Sequence, residues 1–266
     1  MNTSRVNFIN DFQEICIESE IEVVMSKDIL SMVGKSKPSK VTKSLTSQAQ
    51  NSISSISSKS QTNKQSVHTS SIIGEYLIKI IPKNFSLTET PVSIVAFDLD
   101  GTLINTKSGS KFARSSTDWR WFNQSVISKL KSIKNNSPIV IFTNQGGVVA
   151  KQTSKSYQNF VGRIQSILES LKSEGIDISR IWVYASPKKA AGYKGDSVKS
   201  FEEMRKPQRG MFDNFIKDFG GEDKILIKDS IYVGDAAGRS NDFSDSDLKF
   251  AENINLNFKV PEDYFV

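Results

Sequence analysis

The sequence predicts an α/β domain in which helices cover both faces of one mostly parallel, doubly wound β-sheet. From about residue 72 onward, short apolar runs alternate with amphipathic segments of helical spacing, which is typical of successive βα units. Several of these runs end in a glycine together with acidic, hydroxyl or amide residues. Because doubly wound sheets bind ligands at the carboxyl ends of strands, we expect a functional site there.

The predicted elements follow one another in a regular order. Strands are predicted at 75–81 (strand or helix), 93–98, 139–144, 181–185 and 231–235, and helices at 125–133, 156–174, 210–219 and 245–253. Most of the strands are apolar runs bounded by glycine, proline or polar residues. The helix at 156–174 instead repeats apolar residues every three or four positions, as on one helix face. Asp245 is expected to cap the last helix.

Composition divides the chain into three parts. Residues 1–34 are mixed apolar and acidic and too few to bury a core; they form a short tail, either loosely ordered or a docking peptide for a repair partner. Residues 35–71 are rich in Ser, Thr and Lys without an acidic residue, and are predicted to be a disordered linker. Residues 72–266 form the predicted domain, which we expect to be monomeric.

Charge and residue usage narrow the function classes. The net charge of +6 favours polyanionic partners such as nucleic acid. A single cysteine excludes a disulfide within the chain, and a single histidine argues against a Ser-His-Asp triad or a histidine-rich metal site. No apolar run approaches the roughly 20 residues of a membrane span, and the first residues do not resemble a secretory leader.

Asp98 and Asp100 form the most informative motif, because they follow a short apolar run and precede a Gly-Thr turn. Two carboxylates this close repel each other, and a bound Mg²⁺, which prefers hard oxygen ligands, offsets the repulsion. The motif therefore predicts a metal-dependent phosphoryl-transfer site with an aspartyl nucleophile. Calcium loops and ordinary strand-to-turn junctions also contain Asp-x-Asp-Gly, but Leu103 and Ile104 suit a calcium loop poorly.

Three further segments carry suitable groups. Thr143 and Asn144 end a predicted strand before a glycine turn, where a hydroxyl and backbone N–H groups suit phosphoryl oxygens. Lys206 precedes the helix at 210–219, where anions bind well, although an isolated Arg-Lys-Pro is more simply a solvated basic turn. Asp235 follows another strand and supplies a further metal ligand.

The residues that follow Asp235 are also acidic. We interpret Asp242 as a residue that orients Lys206 or a metal-bound water. Asp245 and Asp247 are interpreted as capping or surface residues.

Together these motifs are far more specific than any one of them. They read Phe97-Asp98-Leu99-Asp100-Gly101-Thr102-Leu103-Ile104, Asp118-Trp119-Arg120, Ile141-Phe142-Thr143-Asn144-Gln145, Arg205-Lys206-Pro207-x-x-Gly210-Met211, Val233-Gly234-Asp235-Ala236-Ala237-Gly238-Arg239 and Asp242-Phe243-Ser244. On these residues the chain resembles the haloacid dehalogenase superfamily of aspartyl phosphatases over roughly 72–266. More narrowly, it resembles the DNA 3′-phosphatase domain of the polynucleotide kinase 3′-phosphatase family.

The resemblance implies the roles of individual residues. Asp98 is the nucleophile, Asp100 is the general acid and then the base, and Asp98, the Asp100 backbone carbonyl and Asp235 hold Mg²⁺. Thr143 and Lys206 stabilise the transferring phosphoryl group. Substrate contacts are expected from Thr143, Asn144, Arg205, Lys206 and Arg239.

The expected substrate is a DNA strand-break end that bears a 3′-phosphate, processed during DNA repair in the nucleus. The short span between Asp100 and Thr143 leaves room for a minimal cap or none, so that a polymer end can enter. Candidate phosphate contacts are Lys188, Lys189, Lys194, Lys199, Arg205, Arg209 and Arg239, and candidate base-stacking residues are Trp119, Trp121, Trp182 and Tyr193. For any single one of them, the simpler interpretation is an aromatic residue of the core or a solvated basic residue.

Other functions remain open at this point. Larger members of the family carry a 5′-kinase domain after the phosphatase domain, and we do not expect kinase activity from this chain. A small-molecule phosphatase of the same superfamily, of the histidinol-phosphate or sugar-bisphosphate type, is one alternative. A non-catalytic module that binds DNA ends is the other.

Overall fold

The computed structural model describes residues 66–266, except residues 87, 88 and 196. The strands are β1 (His68–Ile73), β2 (Leu77–Pro82), β3 (Val95–Phe97), β4 (Ile104–Asn105), β5 (Arg120–Trp121), β6 (Ile139–Gln145), β7 (Ile181–Pro187), β8 (Ile231–Val233) and β9 (Asn257–Lys259). The α-helices are α1 (Ser125–Ser132), α2 (Lys155–Ser173), α3 (Val198–Met204), α4 (Gly210–Phe219), α5 (Ser246–Asn253) and α6 (Pro261–Tyr264). Short 3₁₀ helices cover Ile178–Arg180, Glu222–Lys224 and Ile227–Asp229.

Within the described residues, seven strands form one sheet in the order β1-β2-β7-β6-β3-β8-β9. The strands from β7 to β9 in that order run parallel. At one edge β2 pairs antiparallel with β7, and β1 pairs antiparallel with β2. β4 and β5 form a separate antiparallel pair. The predicted doubly wound, mostly parallel sheet is therefore confirmed.

Each face of the sheet has its own apolar core, because alternate residues of a strand point to opposite faces. On one face, Phe97 and Ile141 belong to a cluster with the buried residues of α1 and α2. On the other face, Ala96 and Val140 belong to a cluster with those of α4 and α5. These two layers cover the parallel strands and leave the carboxyl ends of the strands as the place for a site.

The register of the central strands aligns the candidate site residues. Phe97 pairs with Ile141 on one side and with Val233 on the other. The backbone N–H of Asp98 then donates to the Val233 carbonyl at 2.8 Å. Because Thr143 and Asp235 come two residues after these partners, both follow at the same edge of the sheet.

Ordered structure begins earlier than predicted, because β1 starts inside the segment that was interpreted as a disordered linker. For residues 68–71 the linker prediction is wrong. β1 pairs with β2 along its whole length, and the buried His68 donates from Nε2 to the Ile181 carbonyl at 2.9 Å. Its Ser and Thr residues gave this edge strand the composition of a linker. The predicted tail at 1–34, and the linker up to residue 65, lie outside the described residues.

A loop at residues 106–119 joins β4 to β5, and no further helix or strand is inserted there. The Asp118 carboxylate holds this loop by accepting hydrogen bonds from the backbone N–H of Arg114 at 2.9 Å and from the N–H and hydroxyl of Ser108, both at 2.8 Å. These bonds lower the pKa of Asp118 to about 2. The loop agrees with the prediction of a minimal cap. Among the described residues, no helix has the length and apolar character needed to cross a membrane.

Candidate active site

Two predicted residues, Asp98 and Asp235, meet at the carboxyl ends of β3 and β8. Asp98 is buried, and the Thr102 hydroxyl donates to the Asp235 carboxylate at 3.4 Å. Gly101 has φ +86°, and a Cβ at that position would lie 2.6 Å from Asp235 Oδ2. A glycine is therefore required for both the turn and the close approach of Asp235.

Lys206 supplies the positive charge at this centre. It is 4% exposed, and its Nζ donates to Asp98 Oδ1 at 2.6 Å, to Asp247 Oδ1 at 2.7 Å and to the Tyr232 hydroxyl at 2.8 Å. Asn144 fixes the backbone of Lys206, because its Oδ1 accepts from the Lys206 N–H at 2.9 Å and its Nδ2 donates to the Lys206 carbonyl at 3.1 Å. The predicted strand-end Asn144 thus positions the predicted lysine.

The interpretation of Asp247 as a capping or surface residue is wrong. Asp247 is buried; its Oδ1 also accepts from the Tyr232 hydroxyl at 2.8 Å, and its Oδ2 accepts from the Ala236 N–H at 3.0 Å. A Cβ on Gly234 would lie 2.5 Å from Asp247 Cβ, so this glycine makes room for the approach of α5. Only the fold brings Asp247 to the site, since it is 12 residues after Asp235 along the chain.

Of two neighbouring acidic residues, Asp242 differs from its predicted role, whereas Asp245 is a surface residue, one of its two predicted places. Asp242, which was predicted to orient Lys206 or a water, accepts from Arg239 Nε at 2.9 Å and from the Ala237 N–H at 3.0 Å. Asp245 precedes α5 but caps no backbone N–H with its side chain, because its carboxylate pairs with Lys249 at 2.6 Å.

Burial and neighbouring carboxylates together shift the pKa values of the acidic centre. Burial raises the pKa of Asp98 well above its usual range, and the Lys206 ammonium opposes that shift. Burial and the neighbouring Asp247 raise the pKa of Asp235 to about 6. Burial alone would lower the pKa of Lys206, but the Asp247 and Asp98 carboxylates outweigh it and raise that pKa. The Lys206 ammonium therefore faces the negative charge of three carboxylates, those of Asp98, Asp235 and Asp247.

The donor set fits a hard divalent cation. One carboxylate oxygen each from Asp98, Asp235 and Asp247 lie within 4.8 Å of one another. Oxygen ligands suit Mg²⁺, and a cation here would offset both the burial of the Asp235 carboxylate and its repulsion by Asp247, which together raise its pKa. The structure brings together Asp98 and Asp235 from the predicted ligand set. The predicted ligand of Asp100 is its backbone carbonyl, which stays a prediction, and the Asp100 side chain belongs to a separate hydrogen-bond network.

That network contains two residues that the sequence analysis did not assign, Gln145 and Arg163. Asp100 Oδ1 accepts from Arg163 Nη1 at 3.0 Å, and Asp100 Oδ2 accepts from Gln145 Nε2 at 2.8 Å. The same Gln145 Nε2 also donates to the hydroxyl of the buried Thr143 at 2.9 Å. The sequence did contain an indication that Arg163 is special, because this charged residue lies on the apolar face of the predicted helix, between Phe160 and Ile164.

The predicted outer contacts lie at the surface around this centre. Arg205 is exposed beside the glycine turn after β6, where a Cβ on Gly146 would lie 3.6 Å from its guanidinium. Arg239 is partly exposed, donates to the Asp235 carbonyl at 3.2 Å, and pairs with Asp242 and Glu262. Their contacts with a substrate stay a prediction.

The exposed aromatic residues are not the ones predicted to stack on bases. Trp119 and Trp182 are buried in the apolar cores, and Trp121 and Tyr193 are partly buried. Phe112 and Phe243, to which the sequence assigned no role, are 71% and 73% exposed. Lys111 Nζ lies 5.7 Å from the Phe112 ring centre and 5.9 Å from that of Phe243.

Comparison with known proteins agrees with this geometry. Residues 93–265 match the family model described as polynucleotide kinase 3 phosphatase. The polynucleotide 3′-phosphatase of Saccharomyces mikatae is 37% identical over 240 residues, which cover 76% of this chain and 97% of that protein. That of Saccharomyces cerevisiae is 38% identical over 229 residues, covering 71% and 95% respectively.

A longer relative matches over part of its length. The bifunctional polynucleotide phosphatase/kinase of Schizosaccharomyces pombe is 42% identical over 174 residues, which are 65% of this chain and 37% of that protein. Among solved structures, a D,D-heptose 1.7-bisphosphate phosphatase from B. bronchiseptica aligns over 62% of this chain and 78% of its own. Its sequence identity is 16% and its TM-score 0.45.

Proposed function

This chain belongs to the polynucleotide kinase 3 phosphatase family, and from that membership we propose that it removes 3′-phosphate groups from the ends of DNA strands. The reaction is hydrolysis of a phosphoric monoester, which leaves a 3′-hydroxyl end and inorganic phosphate. Such ends can be extended or ligated, so we place the activity in the repair of strand breaks in the nucleus.

The observation that carries the proposal is the buried contact between Asp98 and Lys206 at the carboxyl end of β3. The carboxylate is fixed at 2.6 Å from the ammonium, and Asp247 holds the same ammonium from the other side at 2.7 Å. A carboxylate in a fixed position is suited to attack phosphorus, and a buried cation beside it is suited to receive the charge of the phosphoryl oxygens.

In the proposed first step, an Asp98 oxygen bonds to phosphorus while the bond from phosphorus to the sugar 3′-oxygen breaks. Asp100 gives its proton to that leaving oxygen, which becomes the 3′-hydroxyl group. In the second step, Asp100 takes a proton from water, and the resulting hydroxide attacks the phosphorus of the aspartyl-phosphate. Phosphate leaves and the Asp98 carboxylate is restored.

The remaining residues of the centre compensate the negative charge of the phosphoryl group or hold Lys206 in position. Lys206 and the Thr143 hydroxyl compensate the phosphoryl oxygens, while Asp247 and Asn144 keep Lys206 in place. Mg²⁺ held by Asp98 and Asp235, with Asp247 close by, would neutralise negative charge on the carboxylates and on the phosphate.

The surroundings of the site favour the end of a DNA strand as the substrate. A short loop, and no inserted domain, joins β4 to β5, so that a strand end has access. The exposed Phe112 and Phe243 flank Lys111 on the loops that follow Asp100 and Asp235 in the chain. Exposed aromatic rings beside a lysine suit the bases and phosphates of a single strand.

The test offers the full chain, with Mg²⁺, one oligonucleotide carrying a 3′-phosphate, the same oligonucleotide carrying a 5′-phosphate, and a sugar bisphosphate. We expect the 3′-phosphate to be released with the highest kcat/KM. Asp98→Asn should abolish turnover, and Asp229→Asn, which changes an exposed aspartate of the 3₁₀ helix Ile227–Asp229, should leave turnover unchanged. Preference for the sugar bisphosphate, or binding of the oligonucleotide without turnover, would refute the proposal.

A further inference from the structure

We propose that Arg163 is a positioning residue, which fixes the Asp100 carboxylate for proton transfer to and from the reacting oxygens. The inference rests on the proposed function, because it assigns Arg163 a task in the acid–base step of that reaction. It concerns a residue of α2, an element that supplies none of the predicted catalytic or metal-binding side chains.

Arg163 reaches Asp100 from the interior of the protein. It is 5% exposed and lies beside the Phe160 ring, with its guanidinium carbon 5.8 Å from the ring centre. Its Nη1 is 3.0 Å from Asp100 Oδ1, and its Nη2 is 3.5 Å from Asp100 Oδ2. Within the described part of the chain, Asp100 is the carboxylate with which Arg163 forms an ion pair.

Gln145 completes the arrangement. Its Oε1 accepts from Arg163 Nη2 at 3.1 Å, and its Nε2 donates to Asp100 Oδ2 at 2.8 Å. Both oxygens of Asp100 are therefore held from the protein side by two side chains that also hold each other. The Asp100 side chain is nevertheless 41% exposed, so the carboxylate is fixed and still accessible to a substrate.

A contribution to folding stability does not by itself explain why an arginine occupies this buried position of α2. Arg163 lies on the buried face of α2 with Phe160, Ile164 and Ile167, where an apolar side chain would pack without a desolvation cost. What the guanidinium adds is a fork of donors with a fixed geometry. A general acid has to meet its oxygen within hydrogen-bonding distance, and a fork that fixes the carboxylate serves that requirement.

The two steps of the reaction allow this role to be separated from a structural one. A sugar 3′-oxygen is a poor leaving group that needs a proton from Asp100, whereas p-nitrophenolate is weakly basic and leaves without one. If Arg163 positions Asp100, Arg163→Met should slow the single-turnover release of the 3′-hydroxyl by about 10- to 100-fold, part of the usual contribution of general acid catalysis. The burst of p-nitrophenolate from p-nitrophenyl phosphate should change much less.

The second readout is a double-mutant cycle with Asp100→Asn. Arg163→Met should add no further loss of oligonucleotide rate in that background, because the group through which it acts is already absent. Arg163→Lys should recover part of the rate, since an ammonium keeps the charge but not the two-pronged contact. Lys172→Met, at an exposed position of the same helix, is the matched control and should match the wild type.

The outcomes distinguish this inference from the proposed function. A wild-type protein that releases phosphate from neither ester would refute the proposed function itself. With an active wild type, an equal loss on both esters, or additive losses in the double-mutant cycle, would refute the positioning role. Should Arg163→Met fail to fold, Arg163→Lys is measured with the same two esters, and an equal loss on both refutes the role in the same way.

Discussion

Replacing Lys206 with methionine tests the electrostatic description of the site directly. The ammonium lies 2.6 Å from Asp98 Oδ1 and 2.7 Å from Asp247 Oδ1, and almost none of it reaches solvent. Methionine has a similar length but donates no hydrogen bond. Asp98, Asp235 and Asp247 would then be close together without a cation of the protein. Removing one partner of a buried ion pair in this way costs about 3–5 kcal/mol.

We expect the free energy of unfolding of Lys206→Met to be lower than that of the wild type by this amount at pH 7 without metal. For a domain of this size, that corresponds to a fall in Tm of roughly 6–20 °C. The deficit should shrink as the pH falls toward 5. In the wild type, burial raises the pKa values of Asp98 and Asp235, and the Lys206 ammonium opposes both shifts. Removing the ammonium raises these pKa values further, so the folded variant gains more stability from protonation in acid than the folded wild type does.

The assay is denaturant unfolding at pH 5, 6 and 7, followed by tryptophan fluorescence and paired with 3′-phosphatase rates at pH 7. Lys217→Met, which removes an exposed lysine of α4, is the control and should change stability by less than about 0.5 kcal/mol. A Lys206→Met protein as stable as the wild type at pH 7, or a deficit relative to the wild type that grows as the pH falls, would show that the three carboxylates do not depend on this ammonium.

Three further predictions concern metal, acid and substrate. Protons compete with Mg²⁺ for Asp235, whose pKa is about 6, so the affinity measured by calorimetry should fall below pH 6 and level off above it; a pH-independent affinity would contradict this. Burial lowers the pKa of His68, so at this site the unfolded chain binds protons more tightly, and the contribution of His68 to stability should decline as the pH falls below about 6.5. The imidazole resonance of this single histidine should titrate below that value, and a higher midpoint would exclude the effect. Phe112→Ala and Phe243→Ala should each raise KM for a 3′-phosphate oligonucleotide by about 5-fold or more without changing p-nitrophenyl phosphate kinetics, consistent with about 1–3 kcal/mol per stacked base; an unchanged KM would remove their assigned role.

Local sequence signals were sufficient for the elements that carry the site. The run before Asp98 and the run before Asp235 became β3 and β8, and the helix after Lys206 has the predicted bounds of 210–219. These signals worked because a buried parallel strand needs a continuous apolar run and a buried helix needs one apolar face. Strand β1 lacks such a run, since its hydroxyl residues lie on an edge strand.

Contacts between distant segments could not be predicted in the same way. Asp247 pairs with Lys206 across 41 residues of sequence, and Arg163 pairs with Asp100 across 63. No local pattern distinguishes Asp247 from Asp242 or Asp245, because all three are aspartates around the start of the same helix. What selects Asp247 is the close approach of α5 to Gly234, which depends on the packed sheet.

The two aspartates of the central motif differ because different cations bind them. Asp98 is buried against the Lys206 ammonium, which Asp247 and Asn144 hold in place from outside β3. Asp100, two residues later, is partly exposed and is held by the guanidinium of Arg163 on the opposite side of the sheet from α4. A buried, fixed carboxylate suits an atom that must attack phosphorus, and an accessible one suits an atom that must exchange protons with the substrate and with water. The proposed roles, Asp98 as nucleophile and Asp100 as acid and base, therefore depend on which layer of the fold supplies the cation that pairs with each carboxylate. Exchanging the surroundings of the two aspartates should impair both formation and hydrolysis of the aspartyl-phosphate.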